Sequence, residues 1–385
     1  MPFAKPEGRR DQFMPLNPRL VKESFAALEN AGSAATAYFY GRLFTEDPRL
    51  RGLFPAALDV QRDRLLSALT RIVWSLDNPT ELDDYLARLG RGHRRFGVEP
   101  GHYPAFGRAL AATVRTFCGR EWDRELQEAW ETAYELISAA MIRAAEQTPD
   151  DTPPWWVGEV IGHAMPAPDI AVLTIRPATP VPYEPGQYLP VQTPRWPRTW
   201  RPYSPAGAPR RDGLLRLHVR AVPGGWVSGA LVRHTEVGDT LLLGSPTGQM
   251  TYGSTGRDLL CVAGGTGLAP LKAIVEKAVA DGDRRAIYLF CCVRRAADLY
   301  DAADLTRLER VHPWLRVIPV VADDPAYDGL HGHPDEVVPR FRDWTDHDVY
   351  VCGPEAMVGA TVTALRDADV PADRIHHDPL ISGAA

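Results

Sequence analysis

The strongest constraint on the fold of this chain is a change of residue pattern near position 150. Before it, apolar residues recur at helical spacing and β-branched residues are sparse. After it, Val, Thr, Pro and Gly increase and short alternating runs appear. The join at 149–156 reads PDDTPPWW, which cannot continue a helix. Since 385 residues also exceed one ordinary domain, we predict a multidomain protein with a linker here.

The first part is predicted to be all-α. An Asn-Pro pair at 17–18 is typical of a helix start. Apolar spacing then predicts five or six helices, at about 17–29, 34–44, 60–76, 81–96, 103–118 and 122–145.

The second part is predicted to contain two further folds. Residues 157–251 carry short strands such as AVLTIRP, QYLPVQT and LLRLHVRAV, which favour an antiparallel β-barrel. From about 257 onward strands alternate with helices, beginning with DLLCVAGG and LAPLKAIVEKAVADG, which indicates an α/β domain with a parallel sheet. The expected domains are 1–148, 149–255 and 256–385.

Composition excludes several classes of protein. A net charge of −6 gives no reason to expect a nucleic acid partner, and no apolar run is long enough for a membrane span. The N-terminus lacks the apolar stretch of a signal peptide. Five cysteines without CxxC spacing argue against structural zinc and for free thiols in a reducing cytoplasm. The oligomeric state is not indicated.

One histidine lies on the apolar face of the fourth predicted helix. The imidazole of His93 is expected to face the core, because His93 shares a helical spacing with four apolar residues: Leu82, Leu86, Leu89 and Phe96. A buried imidazole must either satisfy both ring nitrogens by hydrogen bonds or ligate a metal. The residues alone leave both interpretations open.

The segments around this histidine decide in favour of haem. Two segments resemble the haem-binding segments of flavohaemoglobins: HRRFGVEPGHYPAFGRAL and the earlier TAYFYGRLFTEDPRLRGLFP. The resemblance implies an all-α globin domain binding haem b, with His93 as the iron ligand, Phe54 against the porphyrin and Tyr103 ten residues after the ligand. It also implies that Tyr40 and Gln61 donate hydrogen bonds to a diatomic ligand on the opposite side of the haem.

The chain departs from that family on the proximal side. The family has a glutamate late in the last globin helix that bonds the iron-ligating histidine. Alignment puts Ala145 at that position and Glu146 one residue further, about 100° around the helix. Gly92 stands where the family has a lysine. Both changes predict weaker electron donation to the haem iron.

Residues from 155 to 381 resemble the ferredoxin-reductase-type module of the same family. The resemblance rests on three motifs: an R-x-Y-S sequence, a P-G-Q-Y sequence before it and a G-G-W-V-S sequence after it. The resemblance implies FAD, with arginine on its pyrophosphate, tyrosine on the isoalloxazine ring and serine near N5. The implied FAD-binding residues are Tyr188, Arg201, Pro202, Tyr203, Ser204, Gly224, Gly225, Val227 and Ser228.

A second glycine-rich segment follows a strand and opens a helix. Such a turn lets the backbone approach a pyrophosphate at a helix N-terminus. It resembles the reductase form of this motif, and a later C-G-P turn faces the nicotinamide in that family. The implied residues are Gly264, Gly265, Thr266, Gly267, Leu268, Ala269, Pro270, Cys352, Gly353 and Pro354.

Two features of the reductase part are the choice of coenzyme and the residue that covers the flavin. Arg294 and Arg295 follow a strand at the place where the resemblance implies contact with the adenosine ribose. An arginine there can bind the 2′-phosphate of NADPH, so NADH and NADPH both stay open. The family ends with an acidic residue followed by an aromatic that covers the flavin. Here Asp378 is acidic, but Leu380 stands in place of the aromatic.

The resemblance implies an enzyme that passes electrons from NADH or NADPH through FAD to haem and converts nitric oxide and O2 to nitrate. Two alternatives remain from the sequence. One is a flavohaemoglobin that acts on another oxidisable substrate, which the altered proximal side suggests. The other is a gas- or redox-sensing globin whose reductase only sets the haem oxidation state.

Overall fold

A computed structural model describes residues 16–149, 152–253 and 255–378. The chain separates into two compact units, Met1–Thr152 and Pro153–Ala385, and the division falls within the proline-rich join. The second unit contains two separate sheets, each of six strands. The predicted domain borders at 148 and 255 stay predictions. None of the helices in the described ranges is long and apolar enough to cross a membrane.

The first unit is helical, as predicted. Its helices are α1 (Pro18–Ala31), α2 (Ser33–Glu46), α3 (Asp59–Trp74), α4 (Pro79–His93), α5 (Tyr103–Cys118) and α6 (Arg124–Glu146). Several boundaries differ from expectation by up to three residues, and two of these differences have a clear cause. The α4 helix ends at His93, because a 3₁₀ turn over Arg94–Phe96 leads into Gly97 at φ 74°. The α6 helix starts two residues late, because the Asp123 carboxylate caps it by accepting from the Leu126 N–H at 2.8 Å.

The core of this unit lies among α1, α2, α5 and α6. Val21, Phe25, Leu43 and Ala109 are completely buried there. The buried indole of Trp130 on α6 donates from Nε1 to Ser24 Oγ on α1 at 2.9 Å, so its polar group is satisfied within the core.

A very close approach of α4 and α6 positions the histidine. A Cβ added to Gly90 would lie 2.2 Å from the Met141 carbonyl oxygen. Only glycine lets the two backbones meet at this distance, and His93 follows one turn later on the same helix. The packing therefore fixes where the imidazole lies within the unit.

The first sheet of the second unit is an antiparallel barrel. Its strands are β1 (Trp156–Ala167), β2 (Ile170–Pro177), β3 (Leu189–Gln192), β4 (Arg201–Tyr203), β5 (Leu215–Arg220) and β6 (Thr240–Leu243). Their order is β4-β3-β6-β1-β2-β5. Just beyond β4, a bridge between Pro205 and Leu217 of β5 nearly closes the barrel. A short helix, α7 (Trp226–Arg233), lies between β5 and β6 in the sequence and packs against β5. The sequence analysis did not predict this helix.

The second sheet is parallel, with order β10-β9-β8-β7-β11-β12. Its strands are β7 (Leu259–Gly264), β8 (Ile287–Val293), β9 (Leu315–Val321), β10 (Leu330–His331), β11 (Asp348–Cys352) and β12 (Ile375–His376). Its helices are α8 (Leu268–Ala280), α9 (Ala302–Val311), α10 (Pro334–Phe341) and α11 (Glu355–Asp367). The predicted alternation of strand and helix is confirmed. The sequence did not reveal β10, α10 or β12, which are too short or too polar to show a period.

Gly90→Ala should destabilise the helical unit. Alanine favours a helix, but its methyl group would meet the Met141 backbone, and such overpacking costs about 1–3 kcal/mol. Gly92→Ala is the matched control on the same helix, because nothing lies within 4 Å of an added Cβ there. It should be neutral or stabilising by about 0.5–1 kcal/mol. Denaturant unfolding followed by circular dichroism measures both, and equal stability of the two variants would contradict the proposed backbone contact.

Candidate active site

His93 is prepared to act as a neutral ligand. Its Nδ1 lies 2.6 Å from the Leu89 carbonyl oxygen one turn earlier, so Nδ1 carries the proton and donates it. Burial lowers the pKa of His93, which further favours the neutral ring. Within the described ranges the ring has no second hydrogen bond. The lone pair of Nε2 is therefore available, which is what an iron ligand needs.

The predicted distal residues lie together in an aromatic cluster. The Tyr40 ring lies 5.4 Å from that of Phe54, edge to face, and 5.8 Å from that of Phe44. Tyr40 is almost completely buried, and its hydroxyl donates to the Gln61 main-chain carbonyl at 3.4 Å. Burial raises the pKa of Tyr40, so the phenol keeps its proton. The structure thus brings Gln61 beside Tyr40, but through its backbone rather than its amide.

The proximal side matches the departure expected from the sequence. Glu146 is the last residue of α6 and is exposed, while Ala145 before it is partly buried. The proton of His93 goes to the Leu89 carbonyl and not to a carboxylate. Tyr103, the first residue of α5, packs against a small cluster around Leu86.

Three of the predicted flavin residues, Tyr188, Tyr203 and Asp378, lie near one another at one edge of the barrel. Strand β4 pairs with β3 so that Tyr203 faces Leu189, the residue after Tyr188. An atom added at Gly248 would lie 3.1 Å from the Asp378 carboxylate and 3.3 Å from the Tyr188 ring. The Gln249 N–H donates to that carboxylate at 2.9 Å. Asp378 therefore attaches the end of the described chain to the barrel beside Tyr188. Leu380 lies outside the described residues.

The predicted second phosphate turn is the N-terminus of α7. Gly224 has φ 73°, a conformation that favours glycine. The Ser228 hydroxyl accepts from the Val222 N–H at 3.3 Å and closes the turn. In the described part of the chain, the N–H groups of Trp226, Val227 and Ser228 have no hydrogen-bond acceptor. Three unpaired amides at a helix N-terminus fit a pyrophosphate.

The two predicted nicotinamide motifs meet at the carboxyl ends of β7 and β11. A Cβ on Gly267 would lie 2.3 Å from the Cys352 carbonyl oxygen, and one on Gly353 would lie 2.9 Å from Gly264 Cα. These glycines are needed for the contact. Burial raises the pKa of Cys352 to about 12, so it is a neutral thiol. Ligands of parallel sheets bind at such strand ends.

Arg294 lies at the end of β8, as expected. It is highly exposed, and its Nε donates to the Asp323 carboxylate at 3.0 Å. Arg295 is also exposed and pairs with Asp298 at 3.5 Å.

Sequence reasoning missed a set of residues where the barrel meets the α/β part of the second unit. His218 of β5 lies 2.8 Å, through Nδ1, from the Tyr300 hydroxyl, and Arg220 pairs with Asp298 at 3.0 Å. Tyr300 and Asp298 border a cavity of about 60 Å³ that also contacts Gly265 of the dinucleotide turn. Alternation along β5 places His218 on the outer face of the barrel, so the sequence offered no signal that a second sheet covers it.

Comparison with known proteins identifies all three parts. Family models described as "Globin", "Oxidoreductase FAD-binding domain" and "Oxidoreductase NAD-binding domain" match residues 37–141, 166–252 and 261–363. A flavohemoprotein of Bordetella pertussis is 30% identical over 398 residues, covering 94% of this chain and 97% of the relative. The chain belongs to the flavohaemoglobin family. The predicted family and order of domains are confirmed.

Of two further similar proteins, one matches almost the whole chain and the other matches only the reductase part. A flavohaemoglobin from Malassezia yamatoensis, solved with FAD and haem bound, has the same fold: TM-score 0.77, 20% identity, and 94% and 98% coverage of the two chains. The reductase component of the naphthalene 1,2-dioxygenase system of Pseudomonas putida is 35% identical over 230 residues, covering 59% of this chain and 69% of its own. The reductase part of this flavohaemoglobin therefore also resembles a reductase that serves a different electron acceptor.

His93→Ala should abolish stable haem binding and leave FAD bound. The variant removes the available Nε2, while the flavin residues belong to a unit with its own core. Absorption spectra of protein loaded with both groups give the Soret and flavin bands separately. His102→Ala, at the only other histidine of the helical unit, is the control and should keep both bands. Loss of both groups from His93→Ala would contradict the independence of the units.

Arg201→Ala should release FAD. Loss of a charge-assisted contact to pyrophosphate costs about 1.5–3 kcal/mol, or on the order of tenfold to a hundredfold in affinity. Arg176→Ala removes an exposed guanidinium from β2 of the same barrel and should have no effect. Flavin fluorescence titration measures both. An unchanged FAD affinity in Arg201→Ala would move the phosphate site elsewhere.

Proposed function

We propose that this flavohaemoglobin is a nitric oxide dioxygenase, which uses NADH or NADPH, FAD and haem to convert nitric oxide and O2 to nitrate. The observation that carries the proposal is a buried histidine with an available Nε2 in the same chain as FAD-binding and NAD-binding domains. A globin that only stored O2 would not need those sites. When bound, FAD divides a hydride into single electrons, and haem supplies an iron that binds diatomic molecules.

Three sets of residues bind the coenzyme, the flavin and the haem. Gly264–Gly267 and Cys352–Gly353 form the surface on which a nicotinamide coenzyme lies. Tyr188, Arg201, Tyr203 and Asp378 hold the flavin at the barrel edge. The neutral ring of His93 holds the haem. These roles are proposals that rest on the geometry above and on the motifs of the family.

Tyr40 is the proposed distal hydrogen-bond donor. Its proton is retained because burial raises the pKa of Tyr40. The Gln61 carbonyl that accepts from its hydroxyl lies 3.4 Å away, which is long for a hydrogen bond between two oxygens. A diatomic ligand with partial negative charge is a stronger acceptor than this carbonyl. The hydroxyl can therefore turn from the backbone to the ligand without breaking a strong contact.

The electron count gives a direct test. Conversion of one NO and one O2 to nitrate takes one electron, and each NAD(P)H gives two. Full-length protein loaded with haem and FAD should therefore consume two NO for each NAD(P)H oxidised in the presence of O2, and form equal amounts of nitrate. NO-independent oxidation of NAD(P)H at the same rate would contradict the proposal.

A different oxidisable substrate is a second candidate, favoured by one observation. The His93 proton goes to a backbone carbonyl, and Ala145 leaves no carboxylate in the family position. The imidazole then donates less electron density to the iron. NO turnover far below reductase turnover would favour this second function.

We also propose a reducing, cytoplasmic location. All five cysteines are free, and four of them are buried. Burial raises the pKa of Cys261 and Cys291 to about 12, so both stay protonated and are unreactive thiols.

Tyr40→Phe should accelerate dissociation of O2 from the loaded protein by about tenfold to a hundredfold, because it removes one hydrogen bond to a charged acceptor. NO consumption at low O2 should fall. Reduction of the flavin by NAD(P)H should not change, since it takes place in the other unit. Stopped-flow spectroscopy separates the two steps. Tyr38→Phe, a partly exposed tyrosine on the same helix, is the control. An unchanged O2 off-rate would make Tyr40 a packing residue.

A further inference from the structure

Two exposed tryptophans stack on each other beside the phosphate turn of the barrel. The rings of Trp196 and Trp226 have centroids 4.8 Å apart and planes only 22° from parallel. Trp226 is 55% exposed and Trp196 is 36% exposed, so both indoles reach the solvent. A single exposed apolar residue is ordinary, but a contiguous exposed apolar patch is typical of an interaction site.

The chain holds this pair in a defined place. Trp196 lies in the loop between β3 and β4, where its N–H donates to the Thr193 carbonyl at 3.0 Å and its carbonyl accepts from Thr199 at 3.2 Å. The neighbouring Arg195 guanidinium donates to the carbonyl of His234, at the C-terminal end of α7, at 3.1 Å. The loop is thus attached to both ends of α7, through the indole pair at one end and Arg195 at the other.

The position of Trp226 relates the pair to FAD. Trp226 is the first residue of α7, and its own N–H and those of the next two residues are the unpaired amides of the phosphate turn. The base of a nucleotide bound there by its phosphates is only one ribose away. Every nucleobase has a flat π-face that stacks on aromatic side chains. Arg195 and Arg198 on the same loop are exposed cations, which add attraction for a phosphorylated ligand.

We propose that the Trp196–Trp226 pair is the platform on which the adenine ring of FAD stacks, and that it makes this barrel select FAD over FMN. The inference rests on the proposed function, because it requires FAD in the barrel. It adds the part of the site that recognises the adenosine half. FMN carries the same isoalloxazine ring and a phosphate but no adenine, so it gains nothing from the pair.

The test compares the affinities of full-length protein, with its flavin removed, for FAD and for FMN. Trp226→Ala should weaken FAD binding by about tenfold, the size of effect expected for loss of base stacking, and leave FMN binding unchanged. Trp226→Phe keeps a smaller ring and should fall between the two. Trp155→Ala removes a tryptophan that is also 36% exposed and lies outside the pair, and should change neither affinity.

A second readout does not depend on the flavin. Binding of ADP to the flavin-free protein should quench tryptophan fluorescence in the wild type and much less in Trp226→Ala. Circular dichroism melting identifies any variant that fails to fold, and Trp226→Phe then carries the comparison.

The outcomes separate the inference from the function. Equal losses of FAD and FMN affinity, or an unchanged FAD affinity, would overturn the platform while FAD binding itself stood. In that case the pair only fastens the loop to α7. A wild-type chain that binds neither flavin would overturn the proposed function instead.

Discussion

The hydrogen bond from His93 Nδ1 to the Leu89 carbonyl decides what the helical unit can do. It fixes the tautomer, leaves Nε2 with its lone pair, and removes the need for a carboxylate partner. The bond exists because α4 holds the two residues one turn apart, and α4 is placed by the contact of Gly90 with the Met141 backbone. The replacement of the family's glutamate by Ala145 is thus compatible with a histidine ligand, although a carbonyl is a weaker acceptor than a carboxylate.

The reductase unit uses glycine for a related purpose at its nicotinamide site. Gly264, Gly267 and Gly353 let the turns after β7 and β11 touch, so that two motifs nearly ninety residues apart form one surface. Around that surface the barrel and the parallel sheet are joined by polar pairs, including His218 with Tyr300 and Arg220 with Asp298. Buried His218 and Asp298 are thereby partnered, which favours a fixed arrangement of the two sheets.

Much of the fold could be predicted from local pattern. Six helices were placed to within a few residues by apolar spacing and by caps such as Asn17, and the alternation of strand and helix after 257 predicted the parallel sheet. The errors have local causes. The Asp123 cap moved the start of α6. The helix α7 was not predicted because it has only eight residues, too few for a clear periodic apolar face.

The sequence by itself determined the family and the order of the three folds, and it predicted His93 as the iron ligand. These conclusions depend on periodicity and on motifs that are continuous in the chain. The tertiary structure alone decided which atoms of those residues are available. Gln61 was expected to act through its amide, yet its backbone carbonyl faces Tyr40. The Trp196–Trp226 stack and the burial of His218 join residues distant in sequence. A linear pattern contains no information about which nitrogen is free or which outer face of a strand is covered, since both depend on what packs against them.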